Sequence, residues 1–340
     1  MIEYPYPEPP LPGAVLPVAE GIFWARMPLP MKLDHVNVYI LDEGDSWTVV
    51  DTGFDSRKSR AHWQELLEGP LAAKPVGRII ATHHHADHIG LAGWFQSRGA
   101  ALWTSRTAWL MARMQLLDVQ ERPTPEALAF WRKAGMDAET YRQREAERPF
   151  NMADMCHPLP PGFTRISEGA VIRAGGRNWT ARMGNGHAPE HVTLWSQDDH
   201  LVIGGDQLLP SISPNLGVYP TEPLADTVGD WIDSCAAMRV HAHDDQLVLP
   251  GHNMPFTGLP DRLGQLIENH QSALRRIVAA LQQEPRTVAG CFDILYRRKI
   301  DAGNYGLALA EAVGHINHLS QAAKVWPVGT TGSGAVLWGA

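Results

Sequence analysis

Cysteine is scarce in this 340-residue chain: Cys156, Cys235 and Cys291 are odd in number and far apart. That excludes a disulfide framework and argues for reduced thiols in a cytoplasm. Long apolar runs are missing too, since no stretch approaches the ~18 uninterrupted apolar residues of a transmembrane helix. The opening segment "MIEYPYPEPPLPGAVLPVAEG" has neither a basic start nor an apolar core, so it does not read as a secretory signal. These absences predict a soluble, cytoplasmic protein. Positive charge is also short, with a formal net charge of −8. From residue 259 onward Lys and Arg number 8 against 6 acidic residues, whereas the first 258 residues carry 21 against 31. An acidic body does not draw a polyanion from a distance, which disfavours nucleic acid as a partner.

What is present is a globular, loop-rich composition: 44% hydrophobic residues, 31 Gly, 26 Pro and 12 Trp. Single cores stop growing near roughly 250–300 residues, so the length predicts two structural units. After Gly21 short apolar runs ("GIFWARMP", "VNVYIL", "SWTVVDTG") alternate with turns and read as strands, with "DEGD" a turn. A helix over "SRKSRAHWQELLE" and a strand at "VGRII" complete an α/β unit. Residues 107–150 break the rhythm with "TAWLMARMQLLDVQ" and "TPEALAFWRKAGM", both helical in pattern, the second with Thr124 as N-cap and Pro125 at the first position. The strand pattern then resumes and ends at "DQLVLPGH". From residue 259 helical patterns dominate, beginning with "LPDRLGQLIENHQSALRRIVAAL" behind a candidate Asp261 cap. They close on "VWPVGTTGSGAVLWGA", a Gly-turned hairpin. The expected organisation is a catalytic domain over 1–258 with a helical insert at about 107–150, and a small helical, winged-helix-like unit over 259–340.

The densest chemical signal is "ATHHHADHIG", with four histidines within six positions beside an aspartate. Burying that many imidazoles without something to bind would be costly. From one loop His83 and His85 can turn one way and Asp87 and His88 another, so two adjacent metal ions could share it. Four further places put a ligand-type residue beside glycine at a strand end: "DTG" at Asp51, "GNGH" at His187, "GGD" at Asp206 and "PGH" at His252. Glycine there lets backbone bend sharply and approach an ion closely. Imidazole and carboxylate suit Zn²⁺, with Fe and Mn as competitors.

In this order the motifs resemble those of the metallo-β-lactamase superfamily, whose HxHxDH, later His, bridging Asp and final His match without a gap. The resemblance covers most of residues 15–258 and implies an α/β fold, the four-layer αβ/βα sandwich with metals at one edge of two facing sheets. It implies that His83, His85 and His187 hold one metal, that Asp87, His88 and His252 hold a second, and that Asp206 bridges them. Two Zn ions (Fe or Mn in their place) about 3.5–4 Å apart would hold a bridging hydroxide as nucleophile, with Asp87 also catalytic by orienting it. Asp51 has two readings, a turn aspartate capping its own loop or a residue fixing the histidine loop. Glu190 and His191 in "GHAPEH" stand open between a pocket or supporting role and ordinary solvation. His84 is expected to point away from the metals, His241 and His243 to face solvent, and His315 and His318 to pack or lie at the surface.

Keeping Asp206 resembles the thioesterase, glyoxalase II and lactonase branches more than true β-lactamases. The stretches "GHAPEHVTLW" and "GGDQLLPSISPNLGVYP" with the winged tail look most like the lactamase-beta-2-like branch. The resemblance therefore implies hydrolysis of an ester, thioester or lactone in a small-molecule acyl substrate, with no membrane partner. Trp109, Met111, Met114, Leu117, Phe130 and Trp131 would line an apolar entrance under a lid, or else form the insert's own core. The alternative is a metal-dependent endoribonuclease; a β-lactamase or a mononuclear iron persulfide dioxygenase ranks lower. Winged units often serve dimerisation, which leaves a homodimer open.

Overall fold

Period-two alternation in "VNVYIL" has a direct structural outcome. Tyr39 and Leu41 enter one buried cluster while Val36, Val38 and Ile40 enter another, because successive side chains leave a strand on opposite faces. In the computed structural model, which describes residues 1–296 and 299–340, this strand (His35–Asp42) pairs antiparallel with Ile22–Pro28, from Ile22 opposite Leu41 to Pro28 opposite His35. Both lie in a seven-stranded sheet whose strands follow one another in chain order, from Leu16–Ala19 to Thr164–Arg165. The first four strands run antiparallel. Trp47–Val50 then pairs parallel with Val76–Ile80, which needs a crossover, and helix Arg57–Glu68 supplies it. Ser56 begins that helix by accepting the Ser59 amide at 3.0 Å.

A second sheet orders its strands Leu247–Pro250, Leu201–Gly205, His191–Ser196, Arg177–Gly184 and Val171–Ala174, with only the first pair parallel. Its inner residues Trp179, Val192, Leu194 and Ile203 share one core with Trp24, Tyr39, Val50 and Ile80 of the first sheet. The opposite face of the first sheet is covered by Trp63, Leu66 and Phe95 from helices. One sheet is therefore buried on both faces, as a sheet with parallel strands requires.

The chain divides into two compact units. The first comprises residues 1–119, 151–214 and 238–263, and the second 120–150, 215–237 and 264–340. The expected insert thus divides: helix Arg106–Leu117 lies in the first unit, while Pro125–Ala134, capped by Thr124 as expected, and Ala138–Ala146 lie in the second. Residues 215–237 also join the second unit. They are held there by contacts no local pattern reveals: Asn317 donates to Pro223 O and Ala225 O, and Val218 N donates to Ala310 O. Helix Leu259–Leu281 begins two residues before Asp261, which sits in its first turn instead of capping it. Helices Phe292–Tyr296 and Tyr305–Gln321 follow, then the hairpin of Trp326–Thr330 with Val336–Gly339. Among the described residues no helix is long and apolar enough to cross a membrane.

Trp179 is fully buried between the sheets, with its indole N–H bonded to Ala174 O at 2.9 Å. Replacing it by alanine should cost about 3–5 kcal/mol. A denaturant midpoint equal to that of the parent chain would show that this interface does not carry the core.

Candidate metal centre

Five strand ends deliver the ligand-type residues. Asp51 follows Trp47–Val50, the histidine loop follows Val76–Ile80, His187 follows Arg177–Gly184, Asp206 follows Leu201–Gly205 and His252 follows Leu247–Pro250. Three overlapping groups result, each with ligand atoms within 4.8 Å of one another: His83, His85 and His187; His83, His88 and Asp206; and Asp87, His88 and His252. All seven residues named from the sequence as ligands are thus brought together. His84 belongs to none of these groups, and His241 and His243 lie exposed.

Asp51 organises the loop. Its Oδ1 accepts the Thr82 amide at 2.8 Å, and its Oδ2 accepts the Thr82 hydroxyl at 2.9 Å and His88 Nδ1 at 2.7 Å. These bonds pay for a buried carboxylate on a backbone with φ of 60°. Because His88 donates its Nδ1–H to Asp51, Nε2 is the nitrogen turned toward Asp87 at 3.5 Å and Asp206 at 3.3 Å. His252 repeats the arrangement: Nδ1 bonds His35 O at 2.7 Å, and Nε2 faces Asp87 at 3.4 Å and Asp206 at 3.3 Å. Orienting an imidazole through its remote nitrogen is the usual support for a metal ligand.

His191 lies one layer behind the ligands. Its Nε2 accepts the Asp206 amide at 3.1 Å and its ring stacks on His83 at 4.6 Å, so it holds two of the ligand-type residues in place. Glu190 turns elsewhere, accepting the Thr107 amide at 2.8 Å at the start of helix Arg106–Leu117. Asn37 and Tyr39 were not singled out in the sequence. Both donate to Pro250 O, at 2.9 and 2.8 Å, and Asn37 also donates to Asn253 O, pinning the turn that carries His252. The available signal was a polar Asn among inward-facing apolar residues of a strand.

Electrostatics and space both fit divalent cations. Burial, then neighbouring imidazoles, hold His83 and His85 well below the ordinary histidine value, so each offers a neutral lone pair. Burial, then His187, takes His191 down to about 3. Burial opposes charge on His88 and His252 as well, but Asp206 and Asp87 outweigh it, raising His88 well above its usual value and His252 to about 10. The carboxylates thus demand positive charge at this spot. Asp206 Oδ1 and His88 Nε2 are buried 3.3 Å apart without making a hydrogen bond. A Cβ on Gly251 would stand 2.2 Å from Asp206 Oδ1, and one on Gly205 2.6 Å from His191 Cε1, so glycine is needed for this approach. Gly251→Ala should therefore lose bound metal. Asp51→Asn should lower metal affinity about 10–100-fold in competition with a chelator; unchanged affinity would show that Asp51 does not set the loop.

A family model described as "Metallo-beta-lactamase superfamily" matches residues 31–280, and one described as "Metallo-beta-lactamase-like, C-terminal domain" matches residues 274–327. The "Probable metallo-hydrolase YqjP" of Bacillus subtilis (strain 168) is 24% identical, over 88% of this chain and 92% of its own length. The "Atrochrysone carboxyl ACP thioesterase" of Aspergillus fumigatus is 22% identical over 77% of this chain, which spans 65% of that protein. The crystal structure of a beta-lactamase domain protein from Burkholderia ambifaria superposes with a TM-score of 0.91 at 31% identity, covering 99% of this chain and 98% of that one. With the fold, the motif order and the family match in agreement, the chain belongs to the metallo-beta-lactamase superfamily and is a metal-dependent hydrolase.

Proposed function

We propose that the chain hydrolyses an ester, thioester or lactone with two divalent ions, zinc first among them. The supporting observation is how Asp206 is placed. Its Oδ1 faces His88 Nε2 at 3.3 Å, and its Oδ2 faces His187 Nε2 at 3.5 Å and His252 Nε2 at 3.3 Å. One carboxylate thereby reaches both ligand sets, with His83, His85 and His187 holding one ion and Asp87, His88 and His252 the other. Bound there, the ions would supply Lewis acidity toward a carbonyl and a water of lowered pKa. The rest is the work of the protein.

Asp87 is the site carboxylate open to solvent, its side chain 20% exposed against 8% for Asp206. We assign it the orienting of the attacking water. His191 and Asp51 act by positioning Asp206 and His88. An acyl chain would find apolar side chains on the helix that Glu190 anchors. Leu110, Met114 and Leu117 lie exposed along one face of helix Arg106–Leu117, whose first turn is tied to Glu190, three residues beyond His187. Adaptable apolar side chains suit an acyl chain, and a relative bears a thioesterase name.

Asp206→Asn should reduce turnover by more than the roughly 10–100-fold that follows loss of a supporting partner, with circular dichroism unchanged. Persistent turnover of an acyl substrate would refute a dinuclear mechanism. The charge balance of 31 acidic against 21 basic residues before residue 259 further predicts that thioester hydrolysis varies little with salt. RNA bound as a single strand would instead lose affinity with a slope of roughly −0.7 per neutralised phosphate. Salt-sensitive RNA cleavage abolished by Asp206→Asn, with no acyl compound turned over, would establish the nuclease reading instead.

A further inference from the structure

The second compact unit buries a pair of histidines that the hydrolytic site does not use. His270, on helix Leu259–Leu281, and His315, on helix Tyr305–Gln321, are 2% and 1% exposed, with His270 Nδ1 3.3 Å from His315 Nε2. Glu311 lies one helical turn before His315, and the ligand atoms of the three residues all lie within 4.8 Å of one another. Two imidazoles and a carboxylate are a donor set that suits Zn²⁺.

The surrounding bonds show which atoms are on offer. His315 Nδ1 is 2.9 Å from Glu311 O; a carbonyl can only accept, so Nδ1 carries the proton and Nε2 presents its lone pair. That is the remote-nitrogen support already seen at His88 and His252. Glu311 Oε2 accepts Asn215 Nδ2 at 3.2 Å, and the same amide donates to Leu307 O at 3.0 Å, so the carboxylate is oriented from behind. Tetrahedral zinc with Zn–N bonds of about 2.0–2.1 Å places two nitrogens about 3.3 Å apart, the separation found here. Burial takes His270 to about 3 and His315 to about 4, so both rings are neutral at pH 7, and it pushes Glu311 up to about 7. A direct imidazole–imidazole hydrogen bond accounts for the histidine pair alone. It does not call for the Glu311 carboxylate that is held beside them by the Asn215 amide.

We propose that His270, Glu311 and His315 form a separate zinc site that ties these two helices of the second unit together. On binding, His270 carries its proton on Nε2 so that Nδ1 can ligate, Glu311 is ionised, and any carboxyl proton passes to solvent. Glu311 is only partly buried, whereas both histidines are buried.

The test uses the full chain, stripped of metal and titrated with Zn²⁺ alone, with bound equivalents counted by elemental analysis. His315→Gln and Glu311→Gln should each bind one equivalent fewer than the parent. Equal stoichiometry in the parent and both variants would overturn the proposal. A second chain, with His83, Asp206 and His252 all replaced by alanine, keeps this cluster and removes members of both hydrolytic ligand sets. It should retain one equivalent and lose it when His315→Gln is added. A triple variant that folds, by circular dichroism, and retains none would equally overturn the site. The zinc lost between the parent and the triple variant reports on the hydrolytic centre separately, so failure of one assignment does not masquerade as failure of the other.

Discussion

The Asp51 carboxylate is the contact on which the histidine loop depends. It satisfies two donors of Thr82 and the Nδ1 proton of His88, so it fixes the turn that starts the loop and the orientation of a ligand-type imidazole within it. A buried carboxylate is tolerated only when its lone pairs are met. Here they are met by groups that belong to the loop itself. Loop order and carboxylate burial therefore stand or fall together.

The same economy recurs on the other side of the site. His252 is aimed by His35 O, while the turn that carries it is pinned by Asn37 and Tyr39 from the same strand of the first sheet. Asp206 comes from the second sheet and is held by the ring of His191, which also stacks on His83 from the first. Each sheet thus fixes groups delivered by the other. Packing of the shared core around Trp24, Tyr39 and Trp179 becomes a condition for assembling the ligand-type residues, because small shifts between sheets would separate atoms now 3.3–3.4 Å apart.

The second unit uses related chemistry under different constraints. At His88 and His252 burial is outweighed by the neighbouring carboxylates, which raise both rings. Around His270 and His315 burial dominates, and both imidazoles stay neutral. The first setting suits ions that must activate water beside a partly open carboxylate. The second suits an ion held for structure, between helices.

The ligand-type residues were legible in the sequence because each sits beside a glycine or within one dense loop at the end of an apolar run, and local chain geometry already limits what such positions can do. The strands were legible for the same reason: period-two alternation is a local property. Asn37 and Tyr39 were not, since their hydrogen bonds reach more than 200 positions along the chain to Pro250. His315 was expected to pack or lie at the surface, and it packs; what spacing could not show is that its ring meets His270 from another helix, while His318 meets Asp226. The extent of the second unit was likewise decided in three dimensions, when residues 215–237 bonded to helix Tyr305–Gln321. Sequence by itself determined the donor types and the strand ends that carry them, because those follow from side-chain chemistry and local periodicity. Which lone pairs converge, and which helices share a buried cluster, was decided only by tertiary structure, because both depend on contacts between segments whose separation along the chain carries no local signal.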